Sequence, residues 1–596
     1  MAMLVAMLGV GATTGLKAQE IAPPVQSFSI AQLKTVAPVM GCEQLKSIDL
    51  SSQVGAATHI TAAVEKKDAR PAPYCDVQGY VEPSIRFEVR LPLATWTQRY
   101  LQTGCGGLCG MVSIRGDREE GCAPATNGEL VMATTDMGHA GGMADDGSWG
   151  SRDYQLRIDF AYRSVHLTAV AAKALIAHYY GQAPQYSYFA GCSDGGREAL
   201  MEAQRFPQDF NGITAGAAAM NFSTQNSFYH GWNVDANKDE KGQWILTGDQ
   251  LPILHKLALD ECDALDGLKD GLISNPTLCH VDPAKVECKA GEDATTCLTH
   301  EQVRVAREIY AGAHDSKGKK LVLSGPMPGS ELAWKGVLIP PTADAKFVLS
   351  MGASESALKH LLYEQDPPAS FTDRDLQFTE ESFKATTQLH KLFDATDPDL
   401  APFAAHGGKL ILWHGWADQH ISPLNTVAYY TAIKKLLGDE KTDSFTRLFL
   451  FPGGYHCGDG EGPFDYPLLA AIMAWGEGGQ SPDVMIASHS SGGKRAPLQG
   501  VVGEMRGGAM GAPGAAAAPG NAPKIDRTRP IYPYPYVAKY RGTGSPDDAK
   551  NFVKGEAQPV SDEQLQWLGS GFFAPHYEQW CTAQGTTLHC ADQAQK

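Results

Sequence analysis

A strand that runs directly into a glycine-flanked serine and then into a helix leaves a chain little freedom in how it folds. "YSYFA" (Tyr186 to Ala190) is a short apolar and aromatic run of strand length. Gly191, Cys192, Ser193, Asp194 and Gly195 follow it, and then "GREALMEAQRF" (Gly196 to Phe206), which has the helical period. Glycines two places to either side of a serine let the backbone swing abruptly from strand to helix, holding the serine strained and exposed. Upstream, "IRFEVRLPLATWTQRYL" (residues 85–101) alternates around a turn and reads as antiparallel strands, and "ELVMATTDMGH" (Glu129 to His139) is another strand. "RIDFAYRSVHLTAVAAKALIAHYYG" (Arg157 to Gly181) is a helix closed by glycine. Strand, helix, strand, sharp turn, helix predicts an α/β protein with a parallel sheet.

The rhythm is interrupted once. From about Asn221 to Phe403 the chain carries long polar stretches, four cysteines and many prolines. It then resumes with "GKLILWHGWAD" (Gly408 to Asp418), the helix "TVAYYTAIKKLLG" and the strand "FTRLFLFPG". At 596 residues the chain is too long for one simple core. The expected organisation is one α/β domain over 19–220 and 404–596, with residues 221–403 inserted at the strand ends as a lid over the site. The segment 503–523 is Gly/Ala/Pro-rich and nearly uncharged, and reads as a flexible surface loop.

Charge and cysteine usage narrow the partners and the compartment. Fifty basic against 67 acidic residues give a net charge of −17, which argues against a phosphate-binding surface and so against nucleic acid. The first 18 residues read as a signal peptide, with an apolar stretch from Met3 to Val10 and Ala18 at a cleavage position, although a basic start is missing. That stretch is too short to span a bilayer, and no membrane span or obligate protein partner is expected. Thirteen cysteines fit an exported, oxidised protein, secreted or periplasmic. Cys262 with Cys279, Cys288 with Cys297, and Cys581 with Cys590 form natural local loops, and the odd total leaves at least one thiol over. Two of Cys105, Cys109 and Cys122 are expected to bond, with the pairing open. Zinc is disfavoured, because no CxxC pair is present.

A serine nucleophile needs a base, and the base an orienting carboxylate, in the chain order Ser, Asp or Glu, His for this kind of fold. Asp418 lies just past the strand "KLILWHG" and His456 just past "RLFLFPGGY", so both stand at strand carboxyl ends. His414 and His420 are assigned to packing or to the rim. "GGYHCGDG" puts Cys457 directly after His456, as Cys192 directly precedes Ser193. A Cys192–Cys457 bridge would hold the two catalytic side chains within reach, and two independent buried thiols are the bland alternative. The glycine-rich "TGCGGLCG" (Thr103 to Gly110) follows an early strand and would supply an oxyanion-binding N–H near Gly107 to join that of Asp194. It lacks the lysine of a phosphate loop.

Taken together, "GCSDGG", "WHGWAD" and "GGYHC" resemble the tannase and feruloyl esterase family of α/β-hydrolases, in which cysteines beside the catalytic serine and histidine are bridged. The resemblance runs from about Cys42 to Gly544 through "RFPQDFNGITAGAAA", "CDALDGLKDGLI" and "RTRPIYPYPYVAKYRGTGS". It implies an α/β-hydrolase fold with a large inserted lid, a triad of Ser193, Asp418 and His456, and oxyanion amides at Gly107 and Asp194. It further implies a structural calcium ion bound by Asp263, Asp266 and Asp270 with the carbonyls of Leu268 and Leu272, a hard oxygen set that suits the cation. Cys42 and Cys75 join the cysteines expected to be bridged.

The activity implied is a secreted serine esterase acting on small esters of phenolic acids such as ferulate or gallate. The alternatives are an aromatic esterase of the mono-hydroxyethyl terephthalate hydrolase kind, or an inactive calcium-stabilised binder on the same scaffold. Three departures disfavour the first of these. Tyr532 stands where those enzymes have a cysteine, Ile421 stands in place of an aromatic residue beside the acid, and "KFVLSMGASESALKHLLYEQDPP" (Lys346 to Pro368) contains no carboxylate-clamping arginine.

Overall fold

The computed structural model describes residues 28–114, 122–141, 145–293, 295–491, 524–585 and 587–592. The expected signal peptide (1–18) and the low-complexity loop (503–523) fall outside them. Nine strands form the central sheet: β1 (Thr58–Lys66), β2 (Tyr74–Val81), β3 (Ile85–Pro92), β4 (Arg99–Thr103), β5 (Leu130–Thr135), β6 (Tyr186–Cys192), β7 (Gly212–Gly216), β8 (Lys409–Gly415) and β9 (Thr446–Phe451). Their order is β1-β2-β3-β5-β4-β6-β7-β8-β9. From β5 to β9 every neighbouring pair is parallel, and β1, β2, β3 and β5 pair antiparallel. The α/β architecture is therefore the one expected.

One local expectation needs correcting. Residues 85–101 do not form an antiparallel pair: β3 pairs antiparallel with β2 and β5, whereas β4 runs parallel between β5 and β6. Alternation of apolar residues reports a sheet environment and says nothing of the partner, which depends on the crossover that follows.

The central strands are buried on both faces, as in "GITAG" of β7, where every residue is buried. The chain leaves β4 for β5 on one side and returns to β6 on the other, so the loops after β4 and β6 open at a topological switch point, where such sheets bind ligands. A buried fork holds this region from below. Arg99 of β4 donates Nε and Nη2 to the two carboxylate oxygens of Glu477, both at 2.7 Å, and the Tyr188 hydroxyl of β6 donates to the same carboxylate at 2.7 Å.

Among the described residues, the chain between β7 and β8 adds no strand to this sheet and instead folds into helices, the longest being Leu251–Cys262, His300–Ala311 and Leu349–His360. The C-terminal part forms three two-stranded sheets: β10 (Met485–Ser491) with β11 (Lys524–Ile531), β12 (Tyr536–Tyr540) with β13 (Phe552–Ala557), and β14 (Gln579–Gln584) with β15 (Thr587–Asp592). Among the described residues no helix is long and apolar enough to cross a membrane.

Candidate active site

Ser193 directly follows β6 in a backbone conformation (φ 65°, ψ −123°) that a side chain rarely adopts. The strain persists because neighbours over-determine it. The Ser193 N–H donates to the Gly216 carbonyl at 3.0 Å, and its carbonyl accepts from Gly196 and Ala219, each at 3.0 Å. The flanking glycines are required by close approach: a Cβ at Gly191 would lie 2.1 Å from the Gly195 carbonyl oxygen. The helix Asp194–Arg205 begins immediately, and the Asp194 N–H, at its first position, has no intrahelical partner. Arg197 locks this first turn. Its guanidinium bonds both Asp194 oxygens at 2.6 and 3.1 Å and donates to the Ala161 and Phe160 carbonyls at 2.8 and 3.0 Å, which a π-helical segment (Asp159–Arg163) presents.

Asp418, in the loop after β8, and His456, in the loop after β9, meet through a 2.7 Å hydrogen bond from imidazole Nδ1 to Oδ2. The same Oδ2 receives His414 Nε2 at 3.0 Å, and Oδ1 accepts the backbone N–H groups of His420 and Ile421 at 2.7 and 2.9 Å. Burial alone would push the Asp418 carboxyl up, but the neighbouring His456 and the hydrogen bonds from both imidazoles outweigh it and hold it well below the usual carboxylate range. Cys192 and Cys457 are bridged, with Cα atoms 5.9 Å apart, so a disulfide joins the residue before Ser193 to the residue after His456.

His414 and His420, expected in packing or at the rim, both stand at the acid. His414 is fully buried and holds the acid, with its other nitrogen 2.8 Å from Thr426 Oγ1. Its place four residues before Asp418 in "WHGWAD" was the available signal. His420 lies inside the site, its ring 4.8 Å from that of His456 and 4.8 Å from that of His230. Gln225 donates to the His420 carbonyl, and His230 bonds Ser350 Oγ at 2.9 Å. His230 is pushed down to about 3, first by burial and then by His456, so it is neutral. Gln225, His230 and Ser350 all come from the segment between β7 and β8, where no local motif marks them.

The loop after β4 lies against the start of the helix Asp194–Arg205. A Cβ at Gly104 would stand 2.5 Å from the Gly195 Cα, and the Gly195 N–H donates to the Cys105 carbonyl at 2.6 Å. Gly107, with φ +61°, is at the apex of this loop. Cys105 and Cys109 are bridged, which resolves the open pairing; Cys122 is the thiol left over, buried with its sulfur 3.7 Å from Met473 Sδ. Cys42–Cys75, Cys262–Cys279, Cys288–Cys297 and Cys581–Cys590 are bridged as well.

The aspartate-rich loop begins at a 3-10 turn (Asp263–Asp266) and bends at Gly267 and Gly271, both left-handed. Asp263 accepts the N–H groups of Asp270 and Gly271, each at 3.1 Å, and Asp266 accepts from Leu268 N–H at 2.9 Å and Ser274 Oγ at 2.5 Å. Asp270 pairs through Oδ2 with the buried Arg529 of β11 at 2.5 Å, a partner that sequence did not suggest. Its Oδ1 is buried with no hydrogen-bond partner, an orphan that a cation would satisfy. Among the described residues the three carboxylates do not close to within 4.8 Å of one another.

The chain matches the family described as tannase and feruloyl esterase over residues 69–554. It is 30% identical over 568 residues to an uncharacterized esterase of Xanthomonas campestris pv. campestris, covering 88% of this chain and 92% of that one. To the mono(2-hydroxyethyl) terephthalate hydrolase of Piscinibacter sakaiensis it is 28% identical over 578 residues, covering 86% and 91%. The fold is similar to that of feruloyl esterase B from Aspergillus oryzae, with a TM-score of 0.71, 24% identity, and 86% of this chain and 99% of that one covered.

Proposed function

Because the chain belongs to the tannase and feruloyl esterase family and is a carboxylic ester hydrolase, we propose that it cleaves esters of phenolic acids by a serine mechanism. In this reading Ser193 Oγ attacks the ester carbonyl. His456 takes the serine proton and returns it to the departing alcohol, while Asp418 keeps the other imidazole proton on Nδ1 and stabilises the imidazolium. Water, activated by the same histidine, then hydrolyses the acyl-serine. The N–H groups of Asp194 and Gly107 receive the oxyanion, where preorganised donors count for most. The observation that carries the reading is the 2.7 Å Asp418–His456 bond on a loop tied by Cys457–Cys192 to a strained Ser193.

The segment between β7 and β8 acts as the lid, a role supported by Gln225 and His230 reaching His420. The donor set of the loop Asp263–Leu272 and the orphaned Asp270 oxygen favour a calcium ion held by Asp263, Asp266, Asp270 and the carbonyls of Leu268 and Leu272. Bound there, the cation cross-links the loop and takes no part in the chemistry. Six disulfides favour a secreted or periplasmic location.

The test is Ser193→Ala, assayed on methyl ferulate, methyl gallate and mono-hydroxyethyl terephthalate. Hydrolysis is expected to vanish on all three, with the wild type fastest on a phenolic ester. Retained turnover in the variant removes the serine mechanism, and a wild type fastest on the terephthalate ester removes the phenolic assignment.

A further inference from the structure

The mechanism above makes no use of Glu198, yet this carboxyl is only 1% exposed and lies beneath the loop that carries Gly107. Its Oε1 accepts the Cys105 N–H at 3.1 Å, while its Oε2 is buried and unpartnered. The Cys105 carbonyl is taken by the Gly195 N–H at 2.6 Å, so both backbone groups of Cys105 are fastened to the helix that begins beside Ser193. The other limb of the loop is fastened separately. His139 Nε2 bonds the Leu108 carbonyl at 2.7 Å, and the Gly110 N–H donates to Asp136 at 3.1 Å. Between the limbs the Cys109 N–H closes a turn on the Gly106 carbonyl at 3.1 Å, and the Cys105–Cys109 bridge ties the two ends. The central residues of that turn are Gly107 and Leu108.

We propose that Glu198, with the Cys105–Cys109 bridge, is a positioning clamp that sets the Gly107 N–H where the oxyanion forms. The clamp rests on the serine reading given above. It acts on the transition state and leaves substrate binding alone, because the buried Glu198 works through the Cys105 backbone and not on the substrate. Burial, and then the Asp194 charge, push the Glu198 carboxyl well above its ordinary range, which favours its neutral form. A neutral carboxyl accepts one N–H through its carbonyl oxygen as a glutamine amide does. Glu198→Gln therefore keeps the clamp and Glu198→Ala removes it.

The experiment measures kcat and KM on methyl ferulate, the affinity for phenylboronic acid, which forms a tetrahedral adduct on the serine, and the affinity for ferulate as a ground-state ligand. Glu198→Ala is expected to lower kcat about 100-fold, the scale of a misplaced reacting group, with KM and ferulate affinity near wild type and boronate affinity falling in parallel with kcat. Glu198→Gln should recover to within roughly tenfold of wild type, the scale of one net hydrogen bond. The pair Cys105→Ser with Cys109→Ser should show the same kcat-selective loss, and decides alone if the alanine variant does not fold. Wild-type kcat in Glu198→Ala, a glutamine variant as impaired as alanine, or equal losses of boronate and ferulate affinity each overturn the clamp. Activity retained in Ser193→Ala would remove the serine reading itself; its loss there, with unchanged boronate affinity in Glu198→Ala, removes the clamp alone.

Discussion

Replacing Asp418 by asparagine exchanges one carboxylate oxygen for an amide NH2 at nearly constant volume, and the surroundings decide which oxygen is exchanged. Oδ1 accepts two backbone N–H groups, from His420 and Ile421 at 2.7 and 2.9 Å, so an amide NH2 placed there would face two donors. The asparagine must keep its carbonyl in that position and turn its NH2 toward His456 Nδ1. That NH2 donates, so the imidazole is driven to the tautomer with its proton on Nε2, which cannot take a proton from Ser193. Two contributions are lost together: the correct tautomer and the attraction between carboxylate and developing imidazolium. The second is about 4 kcal/mol for unit charges roughly 4 Å apart at an effective dielectric near 20. The same exchange in other serine triads lowers kcat about 10⁴-fold, roughly 5.4 kcal/mol, a consistent scale. KM should change little, since Asp418 is fully buried behind the histidine. Steady-state kinetics on methyl ferulate from pH 7 to 9 provide the assay, and raising the pH should not restore the rate, because the fault is one of tautomer and not of protonation. A variant within tenfold of wild-type kcat would refute this account of Asp418.

Three further outcomes are expected. Removing the Cys192–Cys457 bridge by paired alanines opens a loop of 265 residues; chain entropy alone sets an upper figure of about 5.6 kcal/mol, so the melting temperature should fall by several degrees and kcat with it, and unchanged values of both would show the tie to be dispensable. Chelation with EGTA should lower the melting temperature and added calcium restore it, with Asp270→Asn abolishing the difference; identical melting with and without chelator would remove the calcium site. His230, pushed down to about 3 by burial and by His456, binds its proton later than the unfolded chain does as pH falls, so its share of stability is complete above about pH 6.5 and declines below it, by about 2 kcal/mol between pH 7 and 5. His230→Gln should flatten the fall of the urea midpoint across that range, and an unaltered slope would show that other groups govern it.

What was legible in the chain was whatever a short window encodes. The strand–GxSxG–helix passage around Ser193 is a local conformational demand, met by glycines whose substitution would drive a Cβ into backbone. Asp418 and His456 stand just past apolar strands that read as such, and the cysteine pairs separated by 9 or 17 residues close loops short enough to see in the numbering. Where sequence reading stopped, the contacts cross elements. The partner of β4, the His414 imidazole on Asp418, the Gln225 and His230 contacts to His420, and Arg529 on Asp270 all depend on which elements the fold brings together.

Ser193, its turn and the α/β class were thus determined by the sequence itself, because backbone sterics and side-chain period act over a few residues. The tertiary structure alone decided that Glu198 lies under the Gly107 loop, that Cys105 bonds Cys109 and leaves Cys122 in the core, and that four donors surround Asp418. Buried polar groups must find partners wherever the folded chain places them, and no periodicity along the sequence announces who those partners are.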